Sequence, residues 1–96
     1  MTSLEDVRRD YRTSFIRYLV RQEEAPLHTG YVIGRTAVAG GMSILDLAQM
    51  HHEVLIEVLE ETPAGDLNRV ATSASEFFVE VLSTYEMAQR GFLAGP

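Results

Sequence analysis

Hydrophobic residues recur at steps of three and four along the chain, which is the spacing of one face of an α-helix. In the first segment this stripe consists of Leu4, Val7, Tyr11, Phe15, Tyr18 and Leu19. The last segment keeps the spacing for about seven helical turns, from residue 67 to residue 92. No segment alternates with period two, as a half-buried β-strand would. The pattern therefore predicts an all-α, four-helix bundle-like fold in a single domain over residues 1–96.

Residues that start or stop helices separate the predicted segments. Ser3 with Asp6, and Ser43 with Asp46, have the spacing of capping boxes at the starts of the first and third helices. The pair Gly40-Gly41 is typical of a helix end, and we expect it to terminate the second helix.

Two glycines lie one turn apart within the second helix. Gly30 and Gly34 each cost helix stability, roughly 1 kcal/mol relative to alanine, so their presence requires a structural reason. We expect a close crossing with another helix, either inside the subunit or across a dimer.

Charge and composition exclude several functions. The 96 residues carry a formal net charge of -6 and no cysteine, which excludes disulfides and thiolate metal sites. The acidic balance argues against nucleic-acid binding, which needs clustered basic residues. Residues 1–45 hold six arginines and five acids (+1), whereas residues 46–96 hold two arginines and nine acids (-7), so the second half could face a basic partner.

No apolar run approaches the roughly 20 residues of a membrane span, and the polar start is not a signal peptide, so we expect a cytoplasmic protein with no membrane association.

The cluster His51-His52-Glu53 is the strongest candidate for chemistry. A zincin motif needs a second histidine four residues after the first, but Ile56 follows His52 at that spacing. Adjacent histidines also point about 100° apart on a helix. We therefore predict no metal site and no cofactor.

A second interpretation of the same residues is phosphotransfer. The pair His52-Glu53 matches the first two letters of the phosphoacceptor motif in histidine-kinase dimerisation helices, although residues 55–57 after the apolar Val54 do not continue it. The simpler interpretation places His51 on the core face and leaves His52 partly exposed. No nucleophile system is visible among the serines, so we predict that the chain is not an enzyme.

Two surface features favour binding. Val79 falls on a helical face that otherwise carries Glu76, Ser83, Glu86 and Arg90. Glu24 and His28 lie at the connection between the first two helices. Exposed apolar residues are common, so each feature is only a candidate contact.

Three stretches together resemble the N-terminal domain of RsbU-type phosphoserine phosphatases. They are residues 31–35 (YVIGR), 41–52 (GMSILDLAQMHH) and 77–92 (FFVEVLSTYEMAQRGF). Tyr11 and residues 17–19 extend the likeness into the first helix, so that it covers residues 8–92.

The resemblance implies a homodimeric helical domain, similar to the C-terminal domain of the clock protein KaiA, that catalyses nothing itself. In such phosphatases this domain receives a switch protein related to anti-sigma-factor kinases, and binding activates the phosphatase in a bacterial stress-response pathway. The implied partner-binding residues are Glu24, His28, Val79 and Ser83. The alternative function is a histidine phosphotransfer and dimerisation domain of a two-component system that uses His52.

Overall fold

A computed structural model confirms the all-α, four-helix architecture. It describes the backbone of residues 4–21 and 24–94, and the side chains of residues 4–20 and 28–91. The helices are α1 (Leu4–Arg21), α2 (Glu24–Ala39), α3 (Ile44–Glu60) and α4 (Leu67–Ala94). A 3₁₀ turn, Ala64–Asp66, leads directly into α4. No β-strand occurs in these described ranges.

The predicted helix ends between α2 and α3 are confirmed. Gly41 has a φ of 75°, in the left-handed region that glycine enters without a steric penalty, and the Met42 N–H donates to the Ala37 carbonyl at 2.9 Å. The Ser43 hydroxyl accepts from the Asp46 N–H while the Asp46 carboxylate accepts from the Ser43 N–H, both at 3.1 Å. The other predicted capping box depends on Ser3, which lies outside the described residues.

Helices that follow one another in the chain run in opposite directions. Helices α1 and α4 are antiparallel, because Leu19 contacts Arg69 whereas Tyr11, earlier in α1, contacts Phe77, later in α4. Contacts between α2 and α4 run in the same sense, since residue 30 meets residue 77 and residue 34 meets residue 84. This arrangement is the up-down-up-down topology of a four-helix bundle.

An aromatic cluster fills the centre of the bundle. Tyr11, Phe15 and Phe77 are fully buried, and the Phe77 ring meets the other two edge to face at centroid distances of 5.3 and 5.7 Å. Buried side chains from all four helices surround this cluster: Val7, Tyr18, Leu19, Ile33, Ala37, Leu47, Met50, Val54, Val70, Ala74, Val81 and Tyr85. Leu4, Leu67 and Ala71 of the predicted stripes are exposed instead. Leu4 and Leu67 are each the first residue of their helix and lie at an end of the bundle.

The two glycines of α2 lie at a close helix crossing inside the subunit. A Cβ built on Gly34 would lie 2.6 Å from the Val81 carbonyl oxygen and 2.9 Å from the Tyr85 backbone nitrogen. At Gly30 the nearest atoms belong to the side chains of Phe77 and Val81, at 3.3 to 3.4 Å. The close approach predicted from the glycine spacing is therefore confirmed, and it joins α2 to α4 of the same chain.

Ion pairs between α1 and α3 neutralise part of the acidic second half. Arg8 pairs with Glu53 at 2.9 Å, and Arg12 pairs with Glu57 at 2.6 Å. The two pairs also show that α1 and α3 run in the same direction. Together with Glu86, which pairs with Arg90 inside α4, at least three of the nine acids in residues 46–96 are paired within the chain.

Candidate functional site

The structure places the residues implied by the resemblance on two helices. Val79 and Ser83 lie one turn apart on α4, and both are exposed. His28 is exposed on α2, and Glu24 begins that helix with a side chain outside the described residues. Their spacing of four residues puts Val79 and Ser83 on one face of α4. Among the described residues, no hydrogen bond, ring contact or ion pair joins His28 to either of them.

The outer face of α4 consists of Glu76, Val79, Ser83, Glu86 and Arg90. Val79 is 59% exposed, so an aliphatic side chain stands in water among polar neighbours. Arg90 donates to Glu86 at 2.7 Å, and the Tyr18 hydroxyl donates to Glu76 at 2.7 Å. The hydrogen bond to this carboxylate raises the pKa of Tyr18. On this face the apolar side chain of Val79 is therefore surrounded by charged groups, and hydrogen bonds hold Glu76 and Glu86 in place.

Met87 extends this face and was missed by the sequence reasoning. Its side chain is 66% exposed and lies one turn beyond Ser83, so that residues 79, 83 and 87 follow one another at steps of four. That spacing was visible in the sequence, but the sequence analysis did not single out Met87 as an exposed residue.

A second ordered strip runs along α2. The rings of His28 and Tyr31 stack at a centroid distance of 5.7 Å with planes 10° apart, and Arg35 donates to the Tyr31 hydroxyl at 3.5 Å. The three residues occupy positions three and four apart, the spacing at which side chains of one helix meet. The exposed part of α2 near His28 therefore combines this polar and aromatic strip with an apolar residue, Val32, which lies four positions after His28 and is 47% exposed.

His51 is a half-buried structural residue, as the simpler interpretation predicted. A hydrogen bond of 2.5 Å joins its Nδ1 to the Tyr11 hydroxyl, and its ring lies parallel to Phe78 at a centroid distance of 3.9 Å. Burial, together with the nearby charge of His52, lowers the pKa of His51 to about 4, and burial raises the pKa of Tyr11. The pair is therefore neutral near pH 7 and ties α1 to α3 without carrying charge into the core.

A model of one protein family matches most of the chain. Its description is "Phosphoserine phosphatase RsbU, N-terminal domain", and the match covers residues 9–88. The chain belongs to this family. Comparison with curated proteins and comparison with solved structures each gave no match.

Membership in the RsbU N-terminal family confirms the resemblance that the sequence motifs indicated. The matched residues include all of α2 and α3 and both candidate positions on α4. The family is named for the N-terminal part of a phosphatase, which indicates a regulatory domain rather than the catalytic domain of such an enzyme.

The remaining histidine of the pair, His52, is exposed on α3 of this RsbU N-terminal domain. Its neighbour Glu53 is paired with Arg8, at 2.9 Å. Across the described ranges, no three histidine, aspartate or glutamate side chains come close enough to hold a metal ion. None of the described helices is both long and apolar enough to cross a membrane.

Proposed function

We propose that this chain is a non-catalytic, homodimeric regulatory domain of a bacterial partner-switching pathway. In this proposal the outer face of α4 binds a switch protein related to anti-sigma-factor kinases, and binding controls a phosphatase. The observation that carries the proposal is Val79, which is 59% exposed on a helix of the RsbU N-terminal family.

The energetic case for Val79 as a contact rests on its exposure. Burying a whole valine side chain contributes about 1.5–3 kcal/mol, so covering the exposed part is worth about 1–2 kcal/mol. This corresponds to roughly a 5- to 30-fold change in Kd. Interface hot spots commonly combine such a buried centre with a polar rim, and Glu76, Ser83 and Glu86 supply that rim.

The rigidity of α4 also supports its outer face as the binding surface. The close crossing at Gly34 fixes α4 against α2, and the Tyr18 hydroxyl holds the Glu76 carboxylate. A surface that is already ordered loses less conformational entropy on binding than a mobile one. Glu76 and Glu86 with Arg90 give the face a net charge of -1, which favours a partner with a complementary basic surface.

Isothermal titration of the domain with the switch-kinase protein of the same genome tests this function. We expect saturable binding with a defined stoichiometry. Absence of binding at concentrations up to about 100 μM, well above a micromolar Kd, would contradict the proposal.

The phosphotransfer alternative has a separate test. Incubation with cognate histidine kinases and ATP would place an acid-labile phosphate on the wild-type chain but not on His52→Gln. Our proposal predicts no such label on either protein. A label that appears on the wild type and disappears with the substitution would favour the alternative.

A further inference from the structure

Helix α3 has two apolar faces. Its buried residues Leu47, Met50 and Val54 face the core. The other face carries a second series, which we call the outer stripe of α3: Leu45, Ala48, His52, Leu55, Ile56 and Leu59. In this stripe Leu45 is 63% and Ile56 41% exposed, His52 is exposed, and the other three are half-buried.

The spacing of the outer stripe is that of a helix that pairs with another helix. Residues 45, 48, 52, 55 and 59 are separated by three, four, three and four positions, which is the pattern of a coiled-coil seam. Within the described part of the chain, α1 and α4 supply the main contacts to α3, through its core face and the Tyr11–His51 pair. Leu55 and Leu59 also pack against the core of their own subunit, whereas Leu45, His52 and Ile56 are exposed. The outer stripe therefore has the pattern of a packed surface, and its own subunit covers only one side of it.

The stripe is symmetric about His52. Leu45 and Leu59 lie seven positions before and after it, and Ala48 and Ile56 lie four positions before and after it. In an antiparallel pair of α3 helices, Leu45 of each copy would meet Leu59 of the other, and the two His52 side chains would meet at the two-fold axis. This self-complementarity is what an interface between identical subunits requires.

The charges of α3 permit two copies to approach. The helix carries Asp46, Glu53, Glu57 and Glu60 but no lysine or arginine, so two unpaired copies would repel each other. However, Arg8 and Arg12 of the same subunit neutralise Glu53 and Glu57, the acids nearest the centre of the stripe. The stripe itself contains no carboxylate.

We propose that two copies of this chain associate through the outer stripe of α3, antiparallel, with the two-fold axis at His52. This inference rests on the homodimer of the proposed function and adds its surface and orientation. The stripe spans 14 residue steps, or about 21 Å of helix. It is short beside a standard interface of about 800 Å² per partner, so we expect a Kd in the micromolar range.

Cysteine cross-linking tests the orientation directly, because the chain contains no cysteine of its own. A disulfide requires Cα atoms about 4.4–6.8 Å apart. Under mild oxidation we expect His52→Cys to form a covalent dimer, and a mixture of Leu45→Cys with Leu59→Cys to form the mixed dimer. Val20→Cys, which is on α1 and 78% exposed, is the matched control and should remain monomeric on a non-reducing gel.

Sedimentation equilibrium supplies the second measurement. Ile56→Glu should weaken the dimer at least 10-fold, whereas the control Val20→Glu should not, and circular dichroism should show both variants folded. A dimer that survives Ile56→Glu and is not cross-linked at residue 52 overturns this inference but leaves the proposed homodimer intact. Cross-linking of Leu45→Cys to itself without the mixed product overturns the antiparallel orientation. A wild-type chain that stays monomeric at about 100 μM overturns both the inference and the homodimer, while partner binding is tested separately.

Discussion

Replacing Gly34 with alanine should destabilise the bundle more than any other glycine substitution in the described helices. The added Cβ would lie 2.6 Å from the Val81 carbonyl oxygen and 2.9 Å from both Thr84 Cβ and the Tyr85 nitrogen. Ordinary contact begins at 3.4 Å, so α2 must move away from α4 by about 0.8 Å. Two of the three atoms belong to the α4 backbone and cannot rotate aside.

The magnitude follows from two opposing terms. Overpacking costs about 1–3 kcal/mol, and backbone contacts place this site at the upper end of that range. Alanine regains roughly 1 kcal/mol of helix propensity over glycine. The net loss for Gly34→Ala is then about 2 kcal/mol, in a chain whose total stability should be about 5–14 kcal/mol. The expected decrease in Tm is about 8–16 °C.

Two other glycines provide matched controls. At Gly30 the nearest atoms are side-chain atoms at 3.3 to 3.4 Å, so Gly30→Ala should change the free energy of unfolding by less than about 0.5 kcal/mol. At Gly91 no atom lies within 4 Å, so Gly91→Ala should stabilise α4 by up to about 1 kcal/mol.

Urea unfolding followed by far-UV circular dichroism, at one fixed protein concentration, measures the free energy of unfolding of all three variants. A Gly34→Ala variant as stable as Gly91→Ala would refute the close backbone crossing of α2 and α4.

Three further predictions concern polar contacts between helices. Tyr11→Phe removes the hydrogen-bond partner of His51 Nδ1 and should lower the free energy of unfolding by about 1–3 kcal/mol in the same urea experiment. Stability should also fall as the pH is lowered from about 6.5 to about 4: the pKa of His51 is lowered to about 4 in the folded state, so over this window the unfolded chain binds a proton that the folded chain does not. The pH dependence of unfolding should be flatter in His51→Gln than in the wild type. Finally, a double-mutant cycle of Arg12→Ala and Glu57→Ala should give a small coupling that disappears at high salt, because both side chains are exposed to solvent.

The helices and their ends were predictable because they depend on residues close together in the sequence. The apolar spacing of α1 gave its buried face, and the Ser43–Asp46 capping box uses two residues three positions apart. The crossing at Gly34 was predictable as a close approach, because two glycines one turn apart weaken a helix and are compensated when a neighbouring backbone occupies the space of the missing side chains. Which helix α2 approaches depends on the tertiary fold. The sequence therefore left open whether the crossing lies inside the subunit or across a dimer.

The contacts that join distant segments could not be predicted from the sequence. Tyr11 and His51 are 40 residues apart, and nothing in their local sequence indicates that they share a hydrogen bond. The pairing of Arg12 with Glu57 likewise depends on the parallel course of α1 and α3. For this reason the charge of the second half, read from sequence alone, overstated what is available to a basic partner.

The candidate binding face was likewise predictable from the sequence only in part. Helical spacing placed Val79 opposite the core, and its 59% exposure confirms that placement. The family resemblance supplied His28 and Glu24, whose role in binding stays a prediction. The stacked strip of His28, Tyr31 and Arg35 became visible only with the side chains in place.

We propose that the outer face of α4 binds a switch-kinase partner through Val79. This proposal is tested most directly by comparing the affinities of Val79→Asp and Val20→Asp for that partner in one titration series. Val79 is 59% and Val20 78% exposed, so both variants should fold, and each adds one negative charge. We expect Val79→Asp to weaken binding at least about 5-fold, because the lost burial alone corresponds to that change in Kd, while Val20→Asp should bind like the wild type. Equal affinities for the wild type and Val79→Asp would contradict the proposal.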